Sequence, residues 1–204
     1  MSPYHTVWYG PHMPSRSDWI QTGLAAVADD GPNGLRIDRL CRRLGVSKGS
    51  FHHHFAGAGE FKHALLTEYE TLVVEALEEA IEGTAGGTPK AALAGLTAAI
   101  TSTQGFYRPD LEVAMRAWAF SDPEVRAVQE RVDTRRLASL QGIWSRILDN
   151  PAAVHTAALL PYLVGIGASL IQPPTPPDQL RSVYELLLDL VPDENRSTRQ
   201  SPKI

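Results

Sequence analysis

Apolar residues in this chain return at every third or fourth position and almost nowhere at every second. Ile20, Leu24, Val27 and Ala28 keep that spacing, and so do Ile37, Leu40, Cys41 and Leu44. A longer set follows with Phe61, Leu65, Tyr69, Leu72, Ala76 and Leu77. A period near 3.6 places such side chains on one face of an α-helix, whereas a half-buried strand needs strict alternation. Strand patterns and internal repeats are absent, so the expected fold class is all-α. With 43% hydrophobic residues in 204, a real core is within reach, and the length suits a small module plus a larger one.

Capping residues mark where the helices begin and end. Ser15 or Ser17 suits the start of a helix near Arg16, which "DDGPNG" stops. Gly45 ends the helix "RIDRLCRRLG", Val46 fills the turn, and Ser47 suits the N-cap of a third helix, "KGSFHHHF". The long helix ends at Gly83, and "GTAGGTPK" breaks the composition. Further helices are expected over 90–103, 110–120, 122–149, 151–172 and 176–191. Ser121 and Glu124 read as a capping box with Pro123 in the first turn, and Asn150–Pro151 as another start. Residues 1–15 read as a flexible arm and 193–204 as a polar tail. The apolar run 157–171, interrupted by Pro161, is too short for a bilayer and reads as a buried helix, so no membrane partner is expected. The lone Cys41 excludes a disulfide within one chain and suits a core position in a reducing interior. The first residues lack the basic start and apolar stretch of a secretory signal, so the expected location is cytoplasmic.

Three of the seven histidines, His52, His53 and His54, stand in a row. Neighbours on a helix are about 100° apart, so they fan around the axis and cannot close on one ion. No metal and no cofactor are expected. The net charge of −4 does not announce a nucleic-acid binder, but its distribution is uneven. Residues 1–63 carry seven Lys/Arg against five Asp/Glu, and residues 64–204 twelve against eighteen. Within 36–55, Arg36, Arg39, Arg42, Arg43 and Lys48 face Asp38 alone. Helix, glycine turn and second short helix over 36–55 make a helix-turn-helix, in which one helix enters a major groove about 12 Å wide and the other braces it.

"GLRIDRLCRRLGVSKGSFHHHF" followed by "EFKHALL" resembles the N-terminal module of the tetracycline-repressor (TetR) family of transcriptional regulators. More loosely, "EVAMRAWAFSDPEVRAVQERVDTRR" is similar to the regulatory domain of a subset of that family. The resemblance implies an all-helical homodimer, a DNA-binding domain over 16–60, and a ligand-binding and dimerising domain over 61–192. It implies a double-stranded DNA operator and an unknown small-molecule effector as partners. Lys48 matches the lysine that approaches phosphate at the head of the recognition helix. Ser50 matches a Thr or Ser that contacts backbone or base edge, His52 and His53 match aromatic positions on phosphate and sugar, and His54 stands beside them. With Arg36, Ser47 and Gly49 these are the expected DNA-facing residues, while Phe51 and Phe55 match packing positions. The chain departs from the family in three places. His52 replaces the usual Tyr, Arg36 replaces a Thr or Ser cap, and "AGAGE" replaces the common Ser-Lys or Ser-Arg start of the fourth helix.

In the body, Phe106, Met115, Trp118, Trp144 and Tyr162 are candidate pocket residues. Leu159, Leu163, Gly167, Leu180, Val183 and Leu187 are candidates for a self-complementary four-helix interface, with Gly165 and Gly167 admitting a partner helix. Glu112 and Arg116 read as a surface i,i+4 pair. No GxSxG, HExxH or phosphate-cradling loop is present, so no enzymatic activity is expected. The alternative reading is a helical protein-interaction module without an operator.

Overall fold

The computed structural model describes residues 13–83, 87–102 and 108–191. Regular elements among them are all helical: α1 (Arg16–Asp30), a 3-10 turn (Gly31–Leu35), α2 (Ile37–Leu44), α3 (Lys48–His52), α4 (Ala58–Glu82), α5 (Pro89–Ile100), α6 (Pro109–Ala119), α7 (Pro123–Trp144), α8 (Pro151–Leu170) and α9 (Pro177–Asp189). The class expected from apolar spacing is the class adopted. Two compact units divide between Glu68 and Tyr69. Of the expected arm and tail, all but residues 13–15 lie outside the described residues.

In the first unit Ser15, not Ser17, caps α1. Its Oγ accepts from the Asp18 N–H at 3.2 Å, and the Asp18 carboxylate accepts from the Ser15 N–H at 2.7 Å. The 3-10 turn lies against α1 so closely that a Cβ on Gly34 would sit 2.3 Å from the Ala26 carbonyl oxygen. Gly45 closes α2 at φ 69°, ψ 29°, the left-handed cap that glycine adopts freely. An aromatic cluster fills the centre. Trp19 meets Phe51 edge-on at 5.4 Å, and Phe61 meets Phe51 at 5.5 Å and Phe55 at 4.9 Å. Leu40, Cys41, Leu65 and Leu66 complete this core, and burial pushes the Cys41 thiol up, as suits a packing residue. Phe61, Leu65 and Leu66 draw the first turns of α4 into this unit, so it divides further along the chain than the expected 60/61.

Two local expectations are corrected here. α3 stops at His52, with His53 and His54 in a turn and Phe55 folded back into the core. The missing serine at the start of α4 leaves no defect, because Glu60 accepts from the Ala56 N–H at 2.8 Å and also faces Arg16 at 3.5 Å. That backbone bond, aided by Arg16, holds the Glu60 carboxyl below its ordinary value. The Arg16 guanidinium in turn lies 4.8 Å from the centre of the Phe55 ring.

In the second unit α6, α7 and α8 pack together, and α9 lies against α5 and α8. Asn150 caps α8 as expected, accepting from the Ala152 and Ala153 N–H groups at 2.9 and 3.3 Å. Thr88 caps α5 in the same way. The cap of α7 is Asp122 rather than Ser121: the Asp122 carboxylate accepts from the Glu124 and Val125 N–H groups, and the Ser121 hydroxyl donates back to the Trp118 carbonyl at the end of α6. α7 stops at Trp144 and loosens into turns before residue 149. α8 is a full 20 residues, long and apolar enough by length and composition to cross a membrane, which corrects the reading of 157–171 as too short. Here it packs against α6, α7 and α9, with Ala158, Ala168 and Ser169 buried. Leu77, Leu93, Leu96, Ile143 and Val191 form one core cluster, and Ala168, Leu180 and Tyr184 another.

Candidate functional site

The helix-turn-helix surface of the first unit follows from what its core takes in. Phe51 and Phe55 point inward, and Arg36, Ser47, Lys48, Gly49, His52 and His53 are left exposed. His54 is half-buried, its ring 6.4 Å from that of Phe55. Ser50 is placed differently from the rest. It is buried, and its Oγ is sealed inside without a hydrogen-bond partner, so the hydroxyl is not on the open face. Ser47 holds the N-cap position of α3 with extended backbone, yet its side chain makes no capping bond. Among the described residues no group of three or more His, Cys, Asp or Glu converges as for a metal ion.

The local charge is more balanced than the segment 36–55 shows by itself. Arg43 pairs with Asp29 at 2.7 Å and Asp30 at 3.1 Å, and Arg39 lies 3.8 Å from Asp30. Arg36 and Arg42 each lie 3.7 Å from Asp38. Asp29 and Asp30 close α1, just before the basic segment, and fold back onto it. Lys48 makes no ion pair among the described residues, so it offers an uncommitted cation on the exposed face. Exposed ion pairs of this kind are worth about 0–1 kcal/mol and exchange readily for a phosphate.

The second unit holds a partly open cavity of about 400 Å³ between α5, α7, α8 and α9. Of the candidate pocket residues, Trp144 and Tyr162 line it. Met115 and Trp118 do not; they are packed into the core at 0% and 8% exposure. Phe106 lies outside the described residues. Apart from Thr97, Arg136 and Tyr184, the walls that the sequence reading missed are aliphatic, among them Leu93, Leu96, Leu140 and Ile166. No aromatic signal marks them, since their spacing is that of any buried helix face.

A buried polar network borders this cavity, and it corrects the reading of Glu112 and Arg116 as a surface pair. Glu112 is only 3% exposed. Its Oε1 accepts from Arg116 at 2.8 Å and its Oε2 from Arg136 Nη1 at 2.8 Å. Arg116 also grips Asp133 through two bonds, at 2.8 and 3.0 Å, and donates to the Tyr162 hydroxyl at 3.1 Å. Tyr162 donates to Asp133 at 2.7 Å, Gln129 donates to the same carboxylate at 2.7 Å, and Tyr69 donates to Gln129 at 3.1 Å. Burial pushes the Asp133 carboxyl up, but the bonds from Arg116 and Tyr162 outweigh it and hold the group below its ordinary value. Burial and the bond to Asp133 push the Tyr162 hydroxyl up to about 12. Arg136 and Tyr162 are members of both the network and the cavity wall.

The candidate interface residues divide into two groups. Leu163 and Val183 are exposed at 55% and 39%, next to exposed Leu160, Leu170, Ile171, Leu186 and Leu190. Leu159 and Gly167 are half-buried, and a Cβ on Gly167 would meet nothing within 4 Å. Leu180 and Leu187 instead serve the chain's own core, Leu180 beside Ala168 and Tyr184 and Leu187 packed against them and lining the cavity. Gly165 also has an internal reason, because its Cβ would lie 2.8 Å from the Tyr184 hydroxyl.

The described residues form an all-helical chain with a helix-turn-helix unit and a second helical unit that holds a pocket. Solved structures similar to it are described as transcriptional regulators, some of them of the TetR family. A transcriptional regulator from Rhodococcus sp. Rha1 superposes with a TM-score of 0.70 at 21% identity, over 87% of this chain and 96% of its own. A TetR-family regulator from Streptomyces coelicolor gives 0.69 at 16% identity, over 87% and 90%. A regulator from Saccharomonospora viridis, solved in complex with choline, gives 0.70 at 14% identity, over 85% and 95%. The fold is therefore the TetR-family fold. Among curated proteins, the transcriptional regulator AcuR of Cereibacter sphaeroides is 31% identical over 61 residues, which are 30% of this chain and 28% of AcuR. The match thus spans less than a third of that relative. No protein-family profile matches the chain.

Proposed function

We propose that this chain is a sequence-specific DNA-binding transcriptional regulator, a repressor that works as a homodimer and answers to a small molecule held in its body. The observation that carries the DNA-binding reading is the exposed face of α3 and its following turn. Lys48, Gly49, His52 and His53 stand open there, set by a left-handed Gly45 turn and held from beneath by Phe51 and Phe55. Polar rings and an uncommitted lysine on the second helix of a helix-turn-helix suit phosphate and sugar contacts that fix register on a duplex. The dimer reading is supported by the open apolar face of Leu163, Val183 and Leu186 on α8 and α9. An isologous partner would cover that face, and the operator would then be near-palindromic. The ligand reading is supported by the apolar cavity, whose size falls in the range of small-molecule sites. A ligand would act by unequal affinity for the DNA-bound and free states.

Selection of binding sites from a random duplex library, followed by gel shift with the DNA upstream of the chain's own gene, tests the reading. The expected result is an enriched palindrome bound by two chains. Failure of the library to enrich any sequence overturns the regulator and leaves the protein-interaction module. Sedimentation should show a dimer at micromolar concentration that Leu163→Asp with Leu186→Asp converts to monomer. A wild-type monomer at that concentration overturns the dimer.

A further inference from the structure

We infer that the cavity selects an apolar monocarboxylate, seated with its head on Arg136, an assignment that rests on the ligand-responsive reading above. The cavity walls are almost wholly aliphatic and aromatic, and among the described residues Arg136 is the one charged side chain in them. A guanidinium has five N–H donors, and Arg136 commits one of its nitrogens, Nη1, to Glu112 Oε2 at 2.8 Å. Its Nε and Nη2 have no partner among the described residues, and neither is among the sealed, unpartnered buried nitrogens. The space open to them is the cavity that Arg136 lines.

The identity of those two atoms selects the ligand's chemistry. Nε and Nη2 present two parallel N–H bonds along one edge of the guanidinium, the geometry that receives both oxygens of a carboxylate. Arg131 shows the same edge in use, with Nε and Nη2 on the Glu70 carboxylate at 2.9 and 2.6 Å. Around Arg136 that place is left to a ligand. Among the other polar groups of the wall, the Trp144 indole N–H is sealed away without a partner, and the hydroxyls are already engaged as donors. Tyr162 donates to Asp133, Tyr184 to the Pro161 carbonyl at 3.0 Å, and Thr97 to the Leu93 carbonyl at 3.0 Å. Among the described residues no carboxylate lines the cavity, so a cationic head meets no counter-charge from them. Glu112 fixes the guanidinium plane from the far side, so the open edge is pre-set before a ligand arrives.

Isothermal titration of the full-length protein with four ten-carbon probes tests this directly: decanoate, decanamide, 1-decanol and decyltrimethylammonium. Decanoate should bind at least about tenfold more tightly than the amide and the alcohol, and the cation weakest of all. Arg136→Lys keeps the charge and removes the two-pronged edge. It should weaken decanoate about tenfold and leave 1-decanol unchanged. The ranking of the four probes on wild-type protein stands by itself if that variant fails to fold. Equal or tighter binding of the alcohol, amide or cation overturns the carboxylate assignment and leaves a ligand-responsive regulator standing. Failure of all four to bind overturns both.

Discussion

Replacing Glu112 with glutamine would change one oxygen for an NH2 group and remove one buried negative charge. In the native protein Glu112 serves Arg116 with one oxygen and Arg136 with the other, each at 2.8 Å. Glutamine keeps one acceptor, so one guanidinium must then face an N–H group. Arg116 retains two bonds to Asp133 and one to Tyr162. Arg136 has no other partner among the described residues, so its cation is the one stranded. Removing one partner of a buried pair costs about 3–5 kcal/mol. The exposures involved, 3% for the Glu112 side chain and 11% for that of Arg136, justify the buried figure. For a chain of this size the loss corresponds to a fall in Tm on the order of 10 °C. Calorimetry is the suitable assay, since it can resolve separate transitions for two compact units. Glu112→Leu combined with Arg136→Met removes both charges, leaves Arg116 with Asp133, and should recover at least about 2 kcal/mol of the loss. A Glu112→Gln protein within about 1 kcal/mol of wild type, or a double variant no more stable than the single, would refute the reasoning.

Three further outcomes follow from features elsewhere in the chain. Gly34→Ala forces a Cβ to within 2.3 Å of the Ala26 carbonyl oxygen, which is backbone and cannot swing away, so chemical denaturation should show a loss of about 1–3 kcal/mol or more. The folded-state value of Asp133 is lowered, so its contribution is complete above the ordinary carboxylate range near pH 4 and lost as pH falls through the folded value; an acid titration by circular dichroism should give a shallower loss for Asp133→Asn than for wild type. Lys48→Ala should weaken all duplex sequences about equally and reduce the log–log salt slope by about 0.9, measured by fluorescence anisotropy at several salt concentrations. An unchanged slope removes Lys48 from the phosphate contacts.

The helices, the core of the first unit and the helix-turn-helix were legible because they are written in local terms: period, cap and glycine turn. What escaped was written between distant segments. Glu112 and Arg116 have the same i,i+4 spacing whether they face water or a core. Only Asp133 and Arg136, arriving on α7, decide that they are interior. The cavity escaped for a related reason. Two of its aromatic members, Trp144 and Tyr162, stood out, but Leu93, Leu140 and Ile166 look like any other buried stripe, and emptiness between helices leaves no mark in a sequence. Ser121 and Asp122 are adjacent and both cap well; the choice fell to Asp122 because the Ser121 hydroxyl closes the end of α6. The balance of charge around α2 was likewise hidden, since Asp29 and Asp30 belong to α1 until the fold returns them to the arginines.

α3 is a helix of five residues. So short a segment has little helical stability of its own, because nucleation outweighs the few hydrogen bonds it gains. Phe51, at 0% exposure, holds it to Trp19 and Phe61, and Phe55 fastens the turn that follows. Structure and information are thus carried by different side chains of one segment. Lys48, Gly49 and His53 make no ring contact with the cluster, whereas His52 meets Phe51 edge-on at 5.4 Å, so most of this exposed face can change while the scaffold stays put. A lineage that keeps the two phenylalanines is free to vary this face one exposed residue at a time.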